Sequence, residues 1–312
     1  MILDAGAHSH TIALIKAIVA ELESKDAAAE GLPLGAYLSG SFQSEDKKSK
    51  MFGDAEAYER FMGRWSHVIA PRLVDCTGVP ERGRMLDLGS GTGSLTFAIA
   101  KQMSQARIVA IDPSQEYVAY AISRNPFADR ATFEVGDAQQ LRYADASFDA
   151  ALSLLVFNFI PDPKKAVFEL RRVTRPGGRL SAAVWDYGDG MQMLRRFWDA
   201  AIHIDPGAEK LDEKRMPLCR QGELSALWKE GGLEHVREQP VDIQMQFVSF
   251  ADYWDPFLLR QGPAGSYVRR LNHEKLQDLR NETKRRLSLS AENAPFVLPA
   301  RVWAVRGIVP KS

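Results

Sequence analysis

Apolar positions recur at helical spacing near the start of this chain. Ile12, Ile15, Val19 and Leu22 fall on one side of residues 11–24, which predicts an amphipathic helix. The run at 39–50 is polar, with Ser, Gly and charge, and reads as a linker. Helical spacing returns at 54–74, where Tyr58, Phe61, Met62, Trp65 and Ile69 share a side. From Arg84 the pattern becomes an alternation of short apolar runs and helical stretches. Strands are predicted at 85–88, 107–111, 131–135, 148–155 and 179–185. Between them, a helix runs to about Met103, a second is capped by Ser114, and a third opens at Pro163 and closes at Pro176-Gly177-Gly178. Further on, 190–203, 221–230 and most of 250–290 read as helical, while 233–247 and 300–309 read as strands. Repeated βα units with apolar strands predict a doubly wound α/β fold, a parallel sheet covered by helices on both faces.

Length and charge narrow the function. The chain has 312 residues, enough for one large or two modest domains, and 45% of them are apolar. Forty Lys and Arg balance forty Asp and Glu, which argues against a nucleic-acid partner held by a broad basic face. Two cysteines and six scattered histidines offer neither a disulfide framework nor a metal site, so no metal is expected. No apolar run approaches the ~20 residues that cross a bilayer, and no basic segment precedes the apolar stretch at 12–20, so no signal peptide is expected. The expectation is a cytoplasmic, reduced protein with no membrane partner.

The candidate chemistry centres on Met85-Leu86-Asp87-Leu88-Gly89-Ser90-Gly91-Thr92-Gly93, a strand feeding a Gly-x-Gly-x-Gly turn that opens a helix. Small residues there let a ligand lie against the backbone, near amides at a helix N-terminus. A P-loop is excluded because no Lys follows Ser94, and a dinucleotide fingerprint would need glycine at Ser94 rather than at Gly93.

That spacing, with Asp87 two residues before the first glycine, resembles motif I of class I S-adenosylmethionine-dependent methyltransferases. Four further features follow in the family's order: Asp112 at the end of the second strand, Gly136-Asp137-Ala138 after the third, the strand 147–153, and the helix–turn–strand 170–180. The likeness covers 83–186 and is nearest to the small-molecule branch that includes ubiquinone and menaquinone methyltransferases. Residues 58–66 also look like a segment that precedes motif I in that branch. The resemblance implies a seven-stranded sheet with the last strand antiparallel. It implies a helical cofactor lid (51–80) and a cofactor-binding domain (81–312) with a helical cap at about 248–297, while the N-terminal helical extension and linker (1–50) depart from the family's pattern.

It also implies roles. Asp87 orients the amino group of the cofactor, and Gly89, Ser90 and Gly91 line its methionine moiety. Asp112 takes the ribose, and Pro113 lies against adenine. Asp137 and Ala138 meet the adenine edge, Ser153 and Leu154 offer a carbonyl to the ammonium, and Tyr58 and Arg64 reach the carboxylate. The acceptor pocket falls after strands four and five, with Phe157, Asn158, Trp185, Tyr187, His203 and Tyr253 as candidates. The aromatic residues Tyr253, Trp254, Phe257 and Tyr267 suggest a lid over a partly apolar small molecule. Methyl transfer from a sulfonium is an in-line displacement, so placement and exclusion of water carry much of the catalysis, and no catalytic residue is assigned. The expected activity is methylation of an O, N or C nucleophile of a small metabolite, with a homodimer left open. Two alternatives stand beside it: an S-adenosylmethionine-dependent intramolecular cyclase releasing methylthioadenosine, and a non-catalytic cofactor-binding module.

Overall fold

The computed structural model describes residues 54–289 and 291–311. The helix and linker expected within 1–50 lie outside those residues. The strands are β1 Arg82–Leu88, β2 Gln105–Asp112, β3 Ala131–Val135, β4 Phe148–Leu154, β5 Thr174–Trp185, β6 Glu234–Phe247 and β7 Phe296–Ile308. They form one sheet in the order β3-β2-β1-β4-β5-β7-β6. The first five pair in parallel, and β7 runs antiparallel to both β5 and β6.

Burial explains the strand sequences. In β4 both faces are covered, and Phe148, Ala150, Ala151, Leu152 and Leu154 are all buried, so the strand reads as a continuous apolar run. At the sheet edge, β6 alternates, with Val241, Ile243, Met245 and Phe247 turned inward. Pro240 is tolerated there because an edge strand has one side without ladder bonds.

The helices are α1 Ala55–Tyr58, α2 Arg64–Thr77, α3 Ser94–Gln102, α4 Gln115–Ser123, α5 Pro163–Val173, α6 Gln192–Ile204, α7 Glu223–Glu230, α8 Phe250–Leu258, α9 Gly262–Val268 and α10 His273–Arg286. Ser114 caps α4 as expected, accepting the Tyr117 N–H at 3.3 Å. Asp162 caps α5 by accepting the Lys165 N–H at 3.0 Å, with Pro163 in the first turn. Among the described residues no helix is long and apolar enough to cross a membrane.

Two local expectations change. The helix expected at 54–74 is interrupted by a π turn, Glu59–Gly63, between α1 and α2. A Cβ on Gly63 would come within 2.5 Å of the Glu59 carboxylate, so glycine leaves room for that side chain. The helix α5 ends at Val173, before Pro176-Gly177-Gly178, and those residues join β5 across a register shift. Gly177 and Gly178 exchange backbone hydrogen bonds with Val309 at 2.9 Å, which draws the segment into the sheet.

The chain passes from β1 outward to β2 and β3, then returns through β4 on the other side of β1. Such a reversal opens a crevice above the carboxyl ends of the strands.

Candidate active site

The turn after β1 is held in place by β2. Gly89 and Ser90 both donate their N–H to the Ile111 carbonyl, at 2.8 and 2.9 Å. Gly91 N–H donates to Asp112 Oδ2 at 2.9 Å, and Ser114 N–H donates to Asp112 Oδ1 at 2.9 Å. Asp112 thereby couples the glycine turn to the start of α4 while sitting at the cavity wall. Gly89 has φ +73, and a Cβ there would lie 2.5 Å from both methyl groups of Val156; Gly91 has φ +52 and open space around the same position. Glycine is required at the first for approach and conformation together, and at the second for conformation and access.

Beneath the turn lies Asp87, with no solvent exposure. Its Oδ2 accepts the Thr96 hydroxyl at 2.5 Å, and its Oδ1 meets no hydrogen-bond partner. Burial pushes this carboxyl from 3.8 up to about 7; the hydrogen bonds from Thr96 pull the other way, and the nearby Asp112 adds to the rise. Ser90 Oγ, Ser94 Oγ and Tyr117 Oη, in the cavity wall, are likewise buried without a hydrogen-bond partner.

A cavity of about 1050 Å3 covers the carboxyl ends of the parallel strands. Its floor includes the glycine turn, Asp112, Asp137, Leu154 and Trp185. Its roof is the N-terminal helical segment, from which Tyr58, Phe61, Met62 and Ser66 face it. The Tyr58 and Ser66 hydroxyls are 3.3 Å apart, and burial pushes the Tyr58 phenol up to about 12. The Tyr58 ring lies 5.5 Å from that of Tyr117, and Ala55 N–H donates to Glu116 Oε1 at 3.3 Å, joining the roof to α4.

Most sequence candidates converge on this cavity. Tyr58, Gly89, Ser90, Gly91, Asp112, Pro113, Asp137, Ala138, Leu154, Trp185 and Tyr187 line it, with Asp87 directly under its glycine turn. Six do not. The Arg64 guanidinium instead pairs with Asp252 of α8 at 2.7 Å and lies over the Trp65 ring at 4.4 Å, fastening roof to cap. The Ser153 hydroxyl donates to the Leu88 carbonyl at 2.8 Å and ties β4 to β1. Phe157 packs on Trp228, with ring centroids 4.8 Å apart, and Asn158 beside it is buried outside the lining. His203 is more than half exposed, 4.0 Å from Glu282. The Tyr253 hydroxyl donates to the Met193 carbonyl at 2.8 Å.

The cap aromatics are core rather than lining. Tyr253, Trp254, Phe257 and Tyr267 are all buried, and the cap contributes Gly262 and Pro263 to the cavity instead. Phe257 stacks on Phe197 at 4.5 Å and meets Phe61 of the roof edge-on at 5.1 Å.

Sequence reasoning missed Tyr117, Ser94 and Glu213. Tyr117 could have been found from the Ser114 cap, which fixes the first turn of α4 beside Asp112. Glu213 lies in the irregular segment after α6, on the short turn Glu213–Arg215, where no periodicity marks a buried residue. Its Oε2 accepts the Trp198 indole N–H.

Comparison with known proteins agrees with this architecture. Residues 86–182 match the family described as a methyltransferase domain. The chain is 35% identical over 135 residues to the malonyl-[acyl-carrier protein] O-methyltransferase of Methylococcus capsulatus, covering 42% of this chain and 48% of that protein. It is 29% identical over 161 residues to the ubiquinone/menaquinone biosynthesis C-methyltransferase UbiE of Geobacter sulfurreducens, covering 44% of this chain and 62% of that one. The match thus spans less than two thirds of either relative. Among solved structures, phosphoethanolamine N-methyltransferase 2 of Haemonchus contortus, in complex with phosphomonomethylethanolamine and S-adenosylhomocysteine, superposes with a TM-score of 0.53 at 17% identity. That superposition covers 85% of this chain and 59% of that one, and it is a likeness of fold. Residues 86–182 thus form a methyltransferase domain, carried on a fold that the chain shares with solved methyltransferase structures.

Proposed function

We propose that this protein transfers the methyl group of S-adenosylmethionine to an O, N or C nucleophile of a small molecule. The observation that carries the reading is the pairing of two unlike sets of groups in one cavity. Beside and beneath the glycine turn, buried polar atoms of Asp87, Ser90, Ser94 and Tyr117 await partners. The same cavity is also lined by Phe61, Met62, Phe159, Ile160 and Trp185, a set of large apolar side chains. The polar set fits an amino-acid and nucleoside moiety, and the apolar set fits an organic acceptor.

Each residue has a task in this reading. Asp87 balances the cofactor's ammonium, directly or through water, and the Leu154 carbonyl assists it. The backbone at Gly89–Gly91 lies along the methionine chain. Asp112 keeps acceptor capacity for the ribose hydroxyls after receiving the Gly91 and Ser114 N–H groups. Pro113, Asp137 and Ala138 surround the base. When bound, S-adenosylmethionine supplies an electrophilic methyl carbon. The roof residues Tyr58, Phe61 and Met62 exclude water, and Trp185 and Tyr187 orient the acceptor. The roof at 51–80 and the cap at about 248–297 are then parts of one catalytic unit, 51–312.

Isothermal calorimetry with S-adenosylhomocysteine and product analysis with S-adenosylmethionine test the reading together. Binding without methylthioadenosine above the enzyme-free control is the expected result. Accumulating methylthioadenosine would favour the cyclase, and no binding would refute cofactor use.

A further inference from the structure

Glu213 is 3% exposed and reaches the same cavity from the irregular segment between α6 and α7. It stands apart from the carboxylates Asp112, Glu116 and Asp137, which line the side built by β2, α4 and the loop after β3. Trp198 holds one of its oxygens, and the buried Arg195 is already paired with Asp212. Among the described residues, no lysine, arginine or histidine lines the cavity. An acidic acceptor would therefore bring a further negative charge into a site whose lining offers four carboxyl groups and no cationic side chain to receive it.

We infer that Glu213 selects the acceptor: the substrate is an uncharged or cationic molecule that presents an O–H or N–H to this carboxyl, and carboxylates and phosphates are excluded. The inference rests on the methyl-transfer reading above and names its substrate class. The electronic balance follows. The acceptor's lone pair forms the new bond to the methyl carbon, the carbon–sulfur pair stays on sulfur, and the acceptor's proton passes to Glu213 Oε. Burial pushes Glu213 up to about 8; Trp198 and Arg195 hold it down, and Asp212 raises it. Only the ionised form of Glu213 takes that proton, and its share grows as pH rises toward about 8.

The test uses two probes of one shape, 2-naphthol and 2-naphthoate, titrated calorimetrically into protein saturated with S-adenosylhomocysteine. The wild type is expected to bind the naphthol at least about tenfold more tightly than the naphthoate. Glu213→Gln is expected to lose about tenfold in naphthol affinity, as for one buried hydrogen-bonding partner lost, while its S-adenosylhomocysteine affinity stays unchanged and shows that the fold is intact. Equal or tighter naphthoate binding, no binding of either probe, or an unaltered preference in Glu213→Gln overturns the assignment. Failure of the wild type to bind S-adenosylhomocysteine refutes the underlying reading instead, and the assignment with it.

Discussion

Asp87→Asn removes an ionisable group from a position with no solvent exposure and keeps its shape. In the ligand-free protein the Asp87 carboxyl moves from 3.8 to about 7, chiefly through burial. The folded state therefore holds a proton that the unfolded chain releases at lower pH. Stability from this group is greatest below 3.8 and falls as pH rises to about 7, then stays level. At about 1.4 kcal/mol per pH unit the whole effect is about 4 kcal/mol, of which about 3 kcal/mol falls between about pH 4.5 and pH 8.5. Urea unfolding of wild type and Asp87→Asn at those two pH values measures it. The variant should gain about 3 kcal/mol on the wild type between the acid and the alkaline condition. Glu213, raised to about 8 by burial, imposes a slope of the same sign that Asp87→Asn leaves in place. Adding Glu213→Gln should flatten the remainder. Parallel stability profiles for wild type and Asp87→Asn would refute the account of Asp87 as a buried carboxyl that keeps its proton up to about pH 7.

Two further substitutions separate roof and turn. Arg64→Ala removes a partly buried ion pair and a stacking contact, so it should lower stability by about 1 kcal/mol and leave S-adenosylhomocysteine affinity within about threefold; a hundredfold loss in calorimetry would return Arg64 to the cofactor site. Gly89→Ala meets both methyl groups of Val156 in a left-handed conformation and should cost about 2–4 kcal/mol in urea unfolding. Gly91→Ala, with open space around its Cβ, should cost only about 1 kcal/mol and instead weaken S-adenosylhomocysteine binding at least about tenfold.

The glycine-turn side of the cavity was legible in the sequence because it is local. Asp87, the glycine turn and Asp112 sit at the ends of apolar strands, and parallel pairing sets those ends side by side. Periodicity locates such strands within a few residues, as it did for β3. The acceptor end is assembled from distant pieces. Trp185 ends a strand and Tyr187 follows it, and both line the cavity as expected, whereas Glu213 follows a helix by way of irregular turns. The failures share a cause as well. Arg64, His203 and Tyr253 have residue types suited to a site, but what each one does depends on partners far along the chain: Asp252 for Arg64, Met193 for Tyr253, and open solvent for most of His203. Side-chain type proposes a role, and the partner decides it.

The roof is fastened at both ends. Ala55 and Tyr58 hold it to α4 beside the nucleoside end, while Phe61 and Arg64 hold it to α8 of the cap. If the proposed cofactor and acceptor both bind beneath this roof, each meets the same helical segment, Ala55–Thr77. On the proposed function the roof would then couple the two ligands reciprocally: by whatever factor the first tightens the second, the second must tighten the first.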